Sequence, residues 1–310
     1  MSYLCVIFYV LEKILTQKIN LNTDNVSLYI RREDLIHPFV SGNKFRKLKY
    51  NLIQAGVEGL HTMLTFGGAF SNHIAATAAA GKEHGFKTIG VIRGEELVNK
   101  IENNPTLQFA RQCGMELVFV SREQYKLKGD KEFLDHLKSK FGPFYLLPEG
   151  GSNPLAVKGC EEILTAEDSD FDYICVSIGT GGTISGLINS ASPDQIIVGF
   201  PALKGDFLEN EIRQFSQKGN MDLITEYHFE GYGKVNTDLI EFINIFYEQN
   251  NIHLDPVYTG KMMYGIFDLI AKNYFPKGTK ILAIHTGGIQ GIEGMNHKLR
   301  SKKLPLIHWQ

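Results

Sequence analysis

A chain of 310 residues with 43% hydrophobic content can bury a large core and has room for two lobes. A formal net charge of −2, with no basic cluster interleaved with aromatics, excludes the field and groove that nucleic-acid or anionic-membrane binding needs. The four cysteines (Cys5, Cys113, Cys160 and Cys175) form no C-x-x-C pair and stand at no zinc-ligand spacing with the ten histidines, which excludes a disulfide-stapled or zinc-stapled module and points to a reducing, cytoplasmic setting.

The opening run Tyr3–Leu11 is apolar but short. It lacks a basic leader and a small-residue cleavage site, and Glu12 and Lys13 end it well before the roughly 20 residues of a membrane span. It is expected to be a docking strand or helix, or an upstream extension. Beyond it, strand and helix alternate. Met63–Phe66 predicts a strand and Ser71–Glu83 a helix; Thr88–Ile92, Pro105–Cys113, Leu117–Val120 and Lys131–Lys140 repeat the pair twice. Tyr145–Leu147 closes that block, and Pro148-Glu149-Gly150-Gly151 turns into a helix predicted over Asn153–Thr165. The second half reads Tyr173–Ser177 strand, Gly182–Asn189 helix, Ile196–Phe200 strand, Thr237–Asn250 and Gly260–Asn273 helices, and Lys280–Ile284 strand. Short apolar strands between amphipathic helices predict α/β architecture with parallel sheet covered on both faces, in two lobes. The boundaries are expected at turns near 45–50 and 148–153.

Four segments carry candidate chemistry. In Ser41-Gly42-Asn43-Lys44, burial and the neighbouring cations Arg46 and Lys47 would favour a free, nucleophilic Lys44 amine able to condense with an aldehyde; the plainer reading is a surface lysine at a helix start. Gly179-Thr180-Gly181-Gly182-Thr183 follows a strand and opens a helix. Its backbone N–H groups and two hydroxyls suit one small phosphate, and it lacks both the Walker lysine and the G-x-G-x-x-G dinucleotide pattern. In Gly67-Gly68-Ala69-Phe70-Ser71-Asn72-His73 the polar residues cap an alanine-rich helix, and the same helix start can bind a carboxylate. Gly231-Tyr232-Gly233, Asp255-Pro256-Val257-Tyr258-Thr259 and His285-Thr286-Gly287-Gly288 could place two tyrosine and two threonine hydroxyls around a ring.

Taken in order, Arg-Glu-Asp-Leu (32–35), Gly-Asn-Lys (42–44), Ser-Asn-His (71–73), Gly-Thr-Gly-Gly-Thr (179–183) and Asp-Pro-Val-Tyr (255–258) resemble the family of 1-aminocyclopropane-1-carboxylate deaminases and D-cysteine desulfhydrases. The resemblance covers most of the chain. It implies the two-domain fold type II of pyridoxal-phosphate (PLP) enzymes, like the tryptophan synthase β chain, with a large PLP-binding domain at 1–46 and 150–310 and a small α/β domain at 47–149. It implies that Lys44 carries PLP covalently, that Gly179, Thr180, Gly181, Gly182 and Thr183 hold its phosphate, that Asn72 meets the ring hydroxyl and that Thr286 faces the pyridine nitrogen. Ser71 would meet the substrate carboxylate or act near Cα, with His73, Tyr232, Tyr258 and Thr259 on the substrate side; the catalytic set is Lys44, Ser71 and Tyr258.

The ring-opening deaminases have Glu and Leu where this chain has Thr259 and Thr286, so the resemblance leans to D-cysteine desulfhydrase and a small amino-acid substrate. A threonine hydroxyl at a neutral pyridine nitrogen drains less carbanion charge than a carboxylate partner, which suits β-elimination. Two positions depart from the family: Phe70 replaces a glutamine, and Glu293-Gly294-Met295 stands where a tyrosine is usual. Relatives suggest a homodimer. The competing expectations are cyclopropane deamination, a PLP-binding protein without turnover, and a nucleotide-binding α/β protein.

Overall fold

The computed structural model describes residues 14–205, 208–216 and 219–309; the apolar run Tyr3–Leu11 lies outside them. Strand β1 (Thr16–Ile19) pairs antiparallel with β2 (Ser27–Arg31), and a 3-10 turn at Glu33–Leu35 leads to helix α1 (Asn43–Val57). Then come β3 (Thr62–Gly67), α2 (Asn72–His84), β4 (Lys87–Arg93), α3 (Pro105–Gln112), β5 (Glu116–Val120), α4 (Arg122–Lys126), α5 (Lys131–Phe141) and β6 (Tyr145–Leu147). Their sheet is parallel throughout, in the order β5-β4-β3-β6.

The rest of the chain adds α6 (Pro154–Cys160), β7 (Tyr173–Ile178), α7 (Gly182–Ser190), β8 (Ile196–Pro201), α8 (Leu208–Arg213), β9 (Asn220–Leu223), α9 (Thr237–Asn250), α10 (Thr259–Ala271), β10 (Lys280–Ile284) and α11 (Gly291–Ser301). The second sheet runs β1-β2-β10-β7-β8-β9, parallel except for β1.

The strand period sorts side chains onto the two faces of this second sheet. Ile281 and Ala283 of β10 and Cys175 of β7 pack against α9, α10 and α11 through Leu239, Met262 and Leu299. Leu282, Ile284, Ile174 and Val176 point the other way, against Ile184 and Leu187 of α7 and Ile212 of α8. In the first sheet Met63 meets Leu48 and Leu52 of α1 and the alanines of α2, while Leu64 and Phe66 meet Leu137 of α5. With both faces covered, the central strands are apolar throughout, which is why they were legible as continuous runs.

Two expectations are corrected. Residues 45–50 are not a turn but lie inside α1. The helix predicted to Thr165 ends as α-helix at Cys160 and tightens to a 3-10 turn at Glu161–Ile163. The Ile163 carbonyl at this end accepts from the Arg31 guanidinium at 3.0 Å. Strands β1 and β2 and helix α11 were not predicted at all.

Candidate active site

The site forms where the C-terminal ends of parallel strands from both sheets face one another, the usual location in open α/β sheets. The turns after β3, β6, β7 and β10 and the start of α1 enclose a cavity of about 680 Å³. Lys44, Ser71, Asn72, His73, Gly179, Thr180, Gly181, Thr183, Tyr232, Tyr258 and Thr286 all line it. Two expected residues do not. Gly182 sits behind the turn, and Thr259 is fully buried in the first turn of α10.

Lys44 is placed by its surroundings more than by its own contacts. Glu33, with no exposed surface, accepts two hydrogen bonds of 2.9 Å from Arg46, and its backbone carbonyl accepts from the Gly42 N–H at 3.0 Å. Gly42 has φ +62°, and a Cβ there would lie 1.9 Å from the Thr286 carbonyl oxygen, so only glycine passes this crossing. The next residue, Asn43, donates its backbone N–H to that carbonyl at 3.2 Å and its side-chain amide to Thr183 Oγ1 at 2.8 Å. The first turn of α1 is thereby tied to the end of β10 and the start of α7.

Lys44 Nζ donates to the Gly150 carbonyl at 3.1 Å, and Lys47 Nζ donates to the same oxygen at 3.2 Å and to Ser152 Oγ at 3.0 Å. Burial, and then the Lys47 cation, hold the Lys44 amine well below an ordinary lysine. Lys47 is also lowered by burial. Arg46, expected to act on Lys44 beside Lys47, is occupied by Glu33 instead.

At the glycine-rich turn, no acceptor among the described residues takes the backbone N–H groups of Gly179, Thr180 or Gly181. The first turn of α7 adds its own unbonded N–H groups. The two threonine hydroxyls already have protein partners: Thr180 Oγ1 lies 2.6 Å from Ser152 Oγ, and Thr183 Oγ1 accepts from Asn43. A Cβ on Gly182 would lie 2.7 Å from Ser152 Oγ and 3.2 Å from Lys47 Nζ, so the missing side chain lets a hydroxyl and an ammonium close in behind the turn. Free amide donors, a helix start and a buried lysine make an anion site of the size of one phosphate.

On the opposite side Ser71 is the N-cap of α2, its Oγ accepting from Ile74 N at 3.4 Å, which leaves the hydroxyl proton for a ligand. Asn72 Oδ1 accepts from Gln290 Nε2 at 3.1 Å, a partner the sequence did not single out. Thr65 Oγ1 donates to the Leu147 carbonyl at 2.9 Å, so at its 2.7 Å contact with His73 Nε2 the imidazole must be the donor. The other ring nitrogen, Nδ1, is a buried acceptor with no hydrogen-bond partner among the described residues. Burial, then Lys44 and Lys47, hold the His73 imidazole well below the usual histidine range, hence neutral.

Tyr258 owes its position to Asp255, a role the sequence reading did not assign. One carboxylate oxygen accepts from Val257 N at 3.0 Å and Tyr258 N at 2.8 Å, the other from Thr259 N at 2.7 Å. The signal was present: an aspartate before proline at a helix start is positioned to accept several successive N–H groups. Tyr258 packs edge-on to Tyr232 with centroids 6.0 Å apart. Burial, then the Tyr232 phenol, push the Tyr258 phenol well above its ordinary value, so it is a proton donor. Lys261 holds the Tyr232 loop by donating to the His228 and Gly231 carbonyls at 2.8 and 2.9 Å; burial pulls its ammonium down to about 8. Thr286 Oγ1 lies 3.3 Å from Ser177 Oγ at the end of β10, with no carboxylate bonded to it.

Two facing parallel sheets, an amine poised for deprotonation and a phosphate-sized amide cradle in one cavity define an α/β enzyme built around a phosphorylated aldehyde. The family described as "Pyridoxal-phosphate dependent enzyme" matches residues 15–287, and the chain belongs to that family. The cofactor is pyridoxal phosphate, and the residues present fit it: amine, amide cradle and the Thr286 hydroxyl line the same cavity. The chain is 34% identical to a putative 1-aminocyclopropane-1-carboxylate deaminase of Pyrococcus horikoshii over 88% of each chain. It is 30% identical to the bifunctional D-cysteine desulfhydrase/1-aminocyclopropane-1-carboxylate deaminase of Arabidopsis thaliana, over 87% of this chain and 74% of that one. A crystal structure of an ACC deaminase homologue superposes with a TM-score of 0.79 at 30% identity, covering 96% of this chain and 97% of the other. Among the described residues no helix is long and apolar enough to cross a membrane.

Proposed function

We propose that this enzyme catalyses α,β-elimination on a small β-substituted amino acid, D-cysteine foremost, yielding pyruvate, hydrogen sulfide and ammonia. The observation that carries the choice of reaction is the hydroxyl of Thr286, partnered among the described residues only by Ser177, at the place we assign to the pyridine nitrogen. Pyridoxal phosphate, when bound, supplies a conjugated electron sink that acidifies the substrate Cα–H. A hydroxyl leaves that sink weak, which favours reactions in which the electron pair departs with a leaving group.

The geometry supports the following residue roles. Lys44 carries the cofactor, and its amine, once freed by substrate, takes the Cα proton; its depressed basicity makes it available near neutral pH. Ser71 and the start of α2 hold the substrate carboxylate, and Asn72 the ring hydroxyl. The cradle at 179–183, backed by Lys47, holds the phosphate. Tyr258, a phenol that stays protonated, and its neighbour Tyr232 face the side chain being eliminated. The Cβ–S bond breaks with its electron pair on sulfur, which leaves as hydrogen sulfide, and water converts the released 2-aminoacrylate to pyruvate and ammonia. We further propose a homodimer and two lobes, 47–149 and the remainder, with α1 running through the first boundary.

A second reading, conversion of 1-aminocyclopropane-1-carboxylate to 2-oxobutyrate and ammonia, is favoured by several relatives named as deaminases of that amino acid. The two are separated by incubating the PLP-loaded protein with D-cysteine, L-cysteine and the cyclopropane amino acid. Sulfide and pyruvate from D-cysteine, lost in Lys44→Ala, is the expected result. Release of 2-oxobutyrate without sulfide would replace the first reading by the second.

A further inference from the structure

The cavity contains a cation that none of these roles uses. Arg93 ends β4 and lines the cavity beside the turn that carries Ser71. In the β3–β4 register Gly67 stands opposite Ile92, so Arg93 is level with Gly68, one strand spacing away. A Cβ on Gly68 would meet Arg93 Nη2 at 3.8 Å, so the guanidinium reaches the turn that carries Ser71.

The guanidinium is exposed and rests against one ring. It lies over the Tyr125 ring, 5.6 Å from its centroid, and Tyr125 is itself 3% exposed with its hydroxyl donating to Glu149 Oε1 at 2.7 Å. Lys128 lies over the same ring at 5.3 Å, but its ammonium is paired with Glu149 Oε2 at 3.3 Å. Arg31, Arg32 and Arg46 are each paired with a carboxylate, whereas among the described residues no carboxylate lies within ion-pair distance of Arg93. A guanidinium with free donors in the wall of a binding cavity matches a carboxylate, phosphate or sulfate in planar two-point fashion.

We infer that Arg93 forms a subsite for a negative charge on the substrate's β-substituent, so that beside D-cysteine the enzyme accepts amino acids whose β-substituent carries a negative charge before it leaves, such as a phosphate or sulfate ester of serine, in preference to uncharged ones. This rests on the elimination reading above, with the α-carboxylate at Ser71 and the side chain running toward Gly68. The stoichiometry needs only water: the Cα proton passes to Lys44, the Cβ–O bond breaks with its electrons on the ester oxygen, and 2-aminoacrylate hydrolyses to pyruvate and ammonia.

The test compares O-phosphoserine and serine O-sulfate with serine and β-chloroalanine, each as D and L enantiomer. It uses the PLP-loaded wild type, Arg93→Gln and Arg93→Lys. Pyruvate release gives kcat/KM, and calorimetric titration gives affinity whether or not a ligand is turned over. The wild type is expected to favour the charged ligands, and Arg93→Gln to lose about 10- to 100-fold more on them than on the uncharged ones. Arg93→Lys should recover part of that difference, and the charged preference should shrink with added salt. No preference in the wild type, or equal losses on charged and uncharged ligands, would overturn the subsite, the second outcome reassigning Arg93 to the α-carboxylate. If charged ligands bind in preference but no ligand releases pyruvate, the elimination reading falls and the anion subsite stands.

Discussion

Lys44 and Lys47 share one carbonyl acceptor, so the Lys47 cation adds to burial in lowering the basicity of Lys44. Two buried ammonium groups so close repel, and the one losing its proton more readily becomes a nucleophile. Lys44 carries both the burial cost and the Lys47 cation, so its amine is deprotonated at a lower pH than a solvated lysine near 10.4. The sign is fixed: capture of pyridoxal phosphate by the apoprotein should speed up as pH rises, with a midpoint well below that of free lysine. Removing the neighbouring charge in Lys47→Met should move the midpoint upward. Stopped-flow absorbance across a pH series reads both, and a wild-type midpoint at the solvated value would contradict the electrostatic account.

Between elements, the site depends on buried ionic and capping contacts that hold helix starts at strand ends. Glu33 binds Arg46 from the turn after β2 and fixes the start of α1, while Asp255 gathers three N–H groups at the start of α10. Replacing Glu33 by Gln leaves a buried guanidinium without its counter-charge, and urea unfolding should report a loss of about 3–5 kcal/mol. A loss within experimental error would mean Arg46 finds another partner, and Glu162, with an oxygen 3.6 Å away, is the candidate.

These contacts also mark how far the sequence could be read. Core strands such as Tyr173–Ser177 and Lys280–Ile284 were visible because burial on both faces makes them apolar without a break. The glycine-rich turns were visible because backbone approach excludes side chains. The partners of Asn72 and His73 were not, since Gln290 and Thr65 meet them only through the fold, whereas Asp255, three residues before Tyr258, is a local cap whose signal was present but unassigned. The contact of Arg31 with the Ile163 carbonyl, across more than a hundred residues, was likewise out of reach.

At the scale of the whole molecule, one sheet supplies Ser71, Asn72, His73 and Arg93 and the other supplies Thr180, Thr183 and Thr286, with Lys44 on the helix between them. Amine, phosphate cradle and substrate-side groups therefore come from separate stretches of chain that converge only at the strand ends. The central claim is that the ε-amine of Lys44, and not its neighbour three residues on, holds pyridoxal phosphate. Borohydride reduction of the loaded protein followed by peptide mapping tests it directly. The account predicts the pyridoxyl group on Lys44 alone; recovery of the label on Lys47, or an unmodified Lys44 in a protein that retains the cofactor, would contradict it.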